Sequence, residues 1–469
     1  MHDLPSGPGE AQMIDPFSSI SDLSRALRKG EVSSVELTKM YLDLLKTLGK
    51  EHHAIAELTE DLAMKQAADA DNRLAKGDRS KLLGIPYGAK DLLSTKGIPT
   101  RWGSPGHSDQ VFDYDATVIS RLTGAGAVLA AKLAMIELAG GGNYDIAAAS
   151  ADGACLCAWD KTRWAGGSSS GSGAATALGC VGFSIGSETS GSITCPSAFN
   201  GATGFRPTYG RVSRFGAMAL CWTLDKLGPI CRSADDAWSV LEVIAGQDDK
   251  DPSSSDRKLT KRGGKLKIGV LPETFSQNRA ADCEKAYDAA LDAFKKAGHE
   301  IVSVKYPNLP YGLAVGIIVD AEGASAHENF IRGPRLKELA DVNQVGGLAA
   351  GLEVRAVDYL WAMRFRNEAL QANAIWDSCD CVFTPVFYHG APRADEPLSK
   401  GFNNMGGDDG PSNLLGWPAI AFPIGFEGGL PLGGQIIAPP FEEGACYKAC
   451  SDFQKETDWH QRHPREVGV

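Results

Sequence analysis

The chain has 469 residues, 43% hydrophobic and 22% charged, so it carries enough apolar material for a large buried core. A net charge of −11 with no long basic run argues against binding to a nucleic-acid backbone, and no apolar run approaches the ~18 residues of a membrane span. Eleven cysteines, an odd number set in apolar surroundings, read as reduced thiols rather than a disulfide framework, and none is paired with histidines at zinc-finger spacing.

Residues 1–14 read as a loose tail without the basic-then-apolar pattern of a signal peptide, and the expected compartment is the cytoplasm. Leu23, Ala26 and Leu27 share one helix face that Gly30 ends. Ser33 and Glu36 have capping-box spacing and open a second helix, with Leu37, Met40, Tyr41, Leu44, Leu45 and Leu48 at helical intervals. A third, Ala-rich helix runs from Glu60 to Lys76 and stops at Gly77. The helical rhythm then breaks at Leu82–Asp91, a strand-like run that delivers Lys90 among Ala89, Leu92 and Leu93. Most lysines are solvated. One in apolar surroundings has its ammonium form disfavoured, which makes Lys90 a candidate general base.

Residues 115–138 read as helix, strand and helix. Gly140-Gly141-Gly142-Asn143 follows as a closely approached loop, without a phosphate-binding signature. The stretch 166–200 is the most distinctive of the chain. Two loops rich in glycine and serine, Gly166–Gly173 and Glu188–Asn200, bracket a small-residue and apolar run that suits a buried helix and a short strand. Glycines let consecutive N–H groups converge on one oxygen, and the serines supply a nucleophile and proton carriers. A flexible linker has similar composition, but it would not enclose a core segment.

Short strands and turns follow to Ile230, with Arg206 and Arg211 read as ion-pair partners. Ser233–Ile244 is a helix, and the charged, Ser-rich 248–262 reads as a linker. Leu266–Leu271, Cys283–Ala297 and Glu300–Val304 make a strand–helix–strand unit, implying a parallel pair. Residues 306–375 read as mostly helical, either a cover over the site or a peripheral helix pair, and 400–412 as a mobile loop. Cys381–Pro385, Trp417–Pro423 and Gly434–Pro439 are late strands, and 445–457 is a closing helix. The fold class is α/β: one domain over 15–469, with a large mixed, mostly parallel sheet covered by helices on both faces.

Lys90, Ser168 and Ser192 stand within motifs that resemble the amidase signature family. These are Gly84-Ile85-Pro86 with Lys90-Asp91, Gly166-Gly167-Ser168-Ser169, and Gly191-Ser192-Ile193 with Pro196-Ser197-Ala198-Phe199. Gly204-Phe205-Arg206-Pro207-Thr208, Gly210-Arg211-Val212-Ser213, Asp225–Pro229, Arg232-Ser233, Thr384-Pro385, Gly416–Ile420 and Gly434-Gln435 extend the match over roughly 22–464. The resemblance implies a hydrolase with Ser192 as nucleophile. Ser168, after a cis peptide bond, is the relay, and Lys90 is the base that later protonates the leaving amine. The N–H groups of Thr189, Ser190, Gly191 and Ser192 form the oxyanion hole. No metal or cofactor is implied.

The chain departs from the family pattern at Glu188, where an aspartate is usual, and at Ser190, where a glycine is usual. Ser170, Ala165, Cys157-Ala158 and Ala134 also differ. Gly140, Gly141, Ser169, Trp361 and Phe365 are the candidate substrate-binding residues, with Met363 and Trp417 in neighbouring apolar segments. The expected substrate is a small amide with an apolar or aromatic portion, or an ester or carbamate. A homodimer is compatible with the sequence. The alternative is the glutaminase subunit of a tRNA-dependent amidotransferase. That subunit's Arg-Arg-Ile-x-Gly-Thr segment has no counterpart in Val354–Phe365, which favours the free-standing hydrolase. Gly167-Ser-Ser169-Ser-Gly171 also fits a nucleophile elbow on Ser169, but the preceding Asp160–Trp164 is polar and does not read as the strand such a turn needs.

Overall fold

Local capping fixes the first helices. In the computed structural model, which describes residues 14–272, 281–402 and 411–464, Ser33 Oγ accepts from Glu36 N and Glu36 Oε2 accepts from Ser33 N at 2.9 Å. This is the predicted capping box, and it opens helix Ser34–Leu44. The preceding helix, Ile20–Lys29, ends at Gly30 in the left-handed region, where glycine carries no side-chain penalty. The tail 1–13 and residues 403–410 of the stretch read as a mobile loop lie outside the described residues.

The strands in chain order are β1 (Ile55–Leu58), β2 (Pro86–Lys90), β3 (Val128–Leu133), β4 (Leu156–Cys157), β5 (Asp160–Trp164), β6 (Phe183–Glu188), β7 (Thr203–Arg206), β8 (Lys226–Cys231), β9 (Lys267–Val270), β10 (Glu300–Ser303), β11 (Cys381–Pro385), β12 (Ala419–Glu427) and β13 (Leu430–Ile437). Eleven form one mixed sheet in the order β1-β3-β2-β6-β8-β7-β12-β13-β11-β9-β10. Helices cover both faces. Ser170–Ala177 packs with Thr194–Asn200, and Ala234–Ile244 and Ala281–Lys296 pack with Glu443–Glu456.

The expected predominance of parallel pairing does not hold. Parallel pairs are confined to β3-β2-β6 and β11-β9-β10, including the predicted strand–helix–strand unit of β9 and β10. Between these groups β8, β7, β12 and β13 pair antiparallel. For β12 and β13 the cause is connection length. The short turn through Gly428 and Gly429, both at positive φ, can only return β13 beside β12 in the opposite direction. The polar Asp160–Trp164 is also a strand, but it pairs with β4 outside the main sheet. Nor is 248–262 a free linker. Asp248 accepts from Thr117 Oγ1 and from Ser213 Oγ at 2.6 Å, and Asp251 accepts from Arg214 N at 2.8 Å.

Helix Ser170–Ala177 is buried along its whole length, which explains its Gly and Ala content. A Cβ on Gly171 would lie 2.2 Å from Ala54 O and 2.6 Å from Ala134 N, both backbone atoms that cannot turn aside. Gly171→Ala is therefore expected to cost about 3 kcal/mol, the upper end of the overpacking range. A lower urea midpoint checks this, and an unchanged midpoint would mean that the helix can shift away from the strand.

All eleven cysteines are buried and free, as their apolar neighbours imply. Among the described residues no helix is long and apolar enough to cross a membrane.

Candidate active site

Sheet register gathers the site. β6 lies between β2, parallel to it, and β8, antiparallel to it, with Ala89 opposite Ile185 and Glu188 opposite Lys226. The ends of β2 and β6 and the start of β8 thus meet at one edge. They bring Lys90, Ser187, Glu188 and Lys226 together below the two Gly/Ser loops.

Lys90 is fully buried, and its Nζ lies 2.8 Å from Ser168 Oγ and 2.9 Å from Ser187 Oγ. Burial pushes its pKa down to about 7, against the opposing pull of Asp225 and Glu188, so a neutral amine is within reach at physiological pH. The Gly167–Ser168 peptide is cis. Ser192 is 8% exposed, and its Oγ makes no hydrogen bond to a described residue. The amine-to-Ser168 half of the predicted relay is therefore joined, while the Ser192 hydroxyl is uncommitted. Catalytic contacts of this kind often tighten only around substrate.

The second loop leaves backbone donors uncommitted. Among the described residues the N–H groups of Ser190, Gly191 and Ser192 donate to no acceptor. Gly191 has φ +85°, and nothing lies within 4 Å of where its Cβ would stand. Ser190 is exposed. Thr189 Oγ1 donates to Asp225 Oδ1 at 2.6 Å, and Lys226 Nζ donates to Thr189 O at 3.2 Å. Unpaired N–H groups on a braced loop can stabilise a developing oxyanion.

Glu188 anchors this loop from beneath. Its Oε2 accepts from Ile193 N at 2.8 Å and Thr194 N at 2.9 Å, capping helix Thr194–Asn200 just beyond Ser192. Its Oε1 pairs with Arg206 Nη1 at 2.6 Å, and Arg206 also donates to Trp417 O. Burial raises the Glu188 pKa, but Arg206, Lys226 and the backbone donors outweigh it and hold the carboxyl at about 2. Arg211 is likewise in a buried pair, 2.8 Å from Glu443. Both arginines are the ion-pair partners the sequence implied.

A cavity of about 160 Å³ opens beside Ser187 and Thr189. Phe215, Met218, Leu220 and Trp222 form apolar walls, and Lys250 stands at its rim. This wall, the excursion between β7 and β8, escaped the sequence reading, because its residues gain meaning only once the chain folds back over β6. Of the expected substrate-binding residues, Gly141 borders the wall, since a Cβ there would meet Leu220 Cδ1 at 3.1 Å. Trp361 and Phe365 stack on each other 5.5 Å apart on helix Ala356–Ala372 and do not line the cavity. Ser169 is fully buried, with its hydroxyl bonded to Ser187 O and Ser187 N. That position braces β6 and leaves no open face for attack. Gly140 packs against the Tyr144 ring. Among the described residues no cluster of His, Cys, Asp and Glu could hold a metal ion.

A family model described as Amidase matches residues 36–447. A glutamyl-tRNA(Gln) amidotransferase subunit from Roseiflexus sp. (strain RS-1) is 34% identical over 480 residues, covering 95% of this chain and 98% of that protein. Among solved structures, the peptide amidase from Stenotrophomonas maltophilia superposes with a TM-score of 0.81 at 27% identity, covering 94% of this chain and 97% of that one. The corresponding glutamyl-tRNA(Gln) amidotransferase subunit from Thermotoga maritima gives 0.79 at 27% identity, with 95% and 96% coverage.

Proposed function

Because the chain belongs to the amidase family and is a family enzyme acting on C–N bonds, we propose that it is an amidohydrolase working through an acyl-enzyme on Ser192. The observation that carries this reading is the buried Lys90 amine, 2.8 Å from Ser168 Oγ and free to be neutral. Neutral Lys90 takes the Ser168 proton as Ser168 takes that of Ser192, and Ser192 Oγ attacks the amide carbonyl. The N–H groups at Thr189–Ser192 receive the oxyanion. The proton then returns through Ser168 to the leaving nitrogen, the C–N bond breaks, and water frees the acyl group by the reverse relay. Ser187, the second acceptor of Lys90, holds the amine in line.

The substrate is a small amide with a compact apolar or aromatic portion. The cavity of about 160 Å³ supports this, because a cavity of about 150 Å³ suffices for a benzene ring. Esters and carbamates of similar shape fit the same chemistry. The relatives' name supports a second reading, in which the chain is the glutaminase subunit of an amidotransferase complex.

Labelling with a serine-reactive fluorophosphonate followed by peptide mapping tests the proposal. One adduct is expected on Ser192, absent from Ser192→Ala. An adduct on Ser169 or no adduct would reject it. An adduct on Ser192 together with preferential hydrolysis of glutamine would favour the second reading.

A further inference from the structure

Tyr144 sits in the loop that follows the short turn Glu137–Gly140, and two glycines make room for it. A Cβ on Gly140 would lie 2.7 Å from Tyr144 Cε1, and one on Gly167 would lie 3.0 Å from the Tyr144 hydroxyl. The ring stands edge-on to Trp164 at 6.1 Å. The backbone just beyond is pinned from two sides. Asp341 Oδ2 accepts from Asp145 N at 2.6 Å and Ile146 N at 3.2 Å, and Leu398 N donates to Asp145 O at 2.7 Å. The phenol is thus held in place beside Gly167, yet its hydroxyl bonds to no described residue. Burial pushes its pKa up, so it stays protonated at neutral pH.

Gly167 immediately precedes Ser168, the group that hands the proton to the departing nitrogen in the reading above, on which this inference rests. We infer that Tyr144 binds the leaving group: its oxygen accepts one N–H of the tetrahedral intermediate and so aims the nitrogen lone pair at Ser168 Oγ. The Ser168 proton passes to that nitrogen and the C–N bond breaks, and Tyr144 itself exchanges no proton. An ester's leaving oxygen carries no hydrogen at this stage and so cannot donate to the Tyr144 oxygen. Tyr144 is therefore specific to amide cleavage, and acylation as such does not need it.

The test compares Tyr144→Phe with the unsubstituted protein on the best primary amide of a panel and on the methyl ester of the same acid. Loss of one such hydrogen bond is expected to lower kcat/KM for the amide about tenfold while leaving the ester within about twofold. The rate of fluorophosphonate labelling at Ser192, where fluoride leaves, is expected to stay unchanged. An equal fall on amide and ester would make Tyr144 a structural residue, and an unchanged amide rate would remove it from the site. Both outcomes overturn the inference. Failure of the unsubstituted protein to label at Ser192 would instead overturn the acyl-enzyme reading beneath it.

Discussion

Lys90→Met is expected to lower kcat/KM for amides by on the order of 10³- to 10⁴-fold, the upper range for removal of a positioned acid–base group. Methionine fills nearly the same volume, so the hole is small and the loss is chemical. Fluorophosphonate labelling is expected to fail as well, since Ser192 no longer has a route for its proton. The unsubstituted enzyme should gain activity as pH rises through about 7, where the buried amine loses its charge, and then level off. That inflection should be missing from whatever activity Lys90→Met retains. Stability moves in the same direction over a higher range. The folded pKa lies below the ordinary 10.5, so between about 7 and 10.5 the unfolded chain binds the extra proton and folding becomes more favourable with rising pH. The burden of burying the charge is full below about 7, and Lys90→Met should remove it and raise the melting temperature near neutral pH. A variant that kept its amide rate would end the case for Lys90 as base.

Glu188→Ala has the largest expected effect on stability, about 3–5 kcal/mol, because it leaves Arg206 charged and uncompensated in the core. It also strips the acceptor from Ile193 N and Thr194 N, so the loop bearing Ser192 loses its floor. Calorimetry should show a markedly lower melting temperature, and the residual folded enzyme should have a reduced kcat. The acid limb follows from the same carboxyl. Its folded pKa of about 2 lies below the ordinary 4.5, so its contribution is complete above about 4.5 and fades as pH falls toward 2. An unchanged melting temperature in Glu188→Ala would show that Arg206 finds another partner.

Lys90, Ser168 and Ser192, the groups proposed for catalysis, are singled out in the sequence by motifs that resemble the amidase signature family, whereas the residues alone mark Lys90 only as a lysine in apolar surroundings. Capping at Ser33 and Glu36 and the β9–β10 unit were legible because their causes lie within a few residues or one helix of each other. The residues that complete the site were not. Ser187 looks like an ordinary strand-end residue, and Asp225, although it stands in a motif of the resemblance, has no evident partner until β6 and β8 pair antiparallel and bring it under Thr189. The cavity wall around Met218 and Leu220 depends on the same fold-back, whereas Trp361 drew attention by size alone and stands on an outer helix. Glu188 was visible as a departure from the aspartate pattern. Its partner Arg206 lies beyond two loops and a strand crossing, so the clamp could not be read from spacing.

The eleven buried thiols make the chain its own opening gauge. An alkylating reagent meets a closed surface in the native state, and each cysteine reacts only when its own neighbourhood parts. Cys195 reports on the helix beyond Ser192, Cys231 on β8, Cys381 on β11, and Cys446 and Cys450 on the closing helix Glu443–Glu456. Mass spectrometry of timed alkylation would thus rank the regions by how often they open. It would tell a breathing active-site loop apart from wholesale unfolding without any added label.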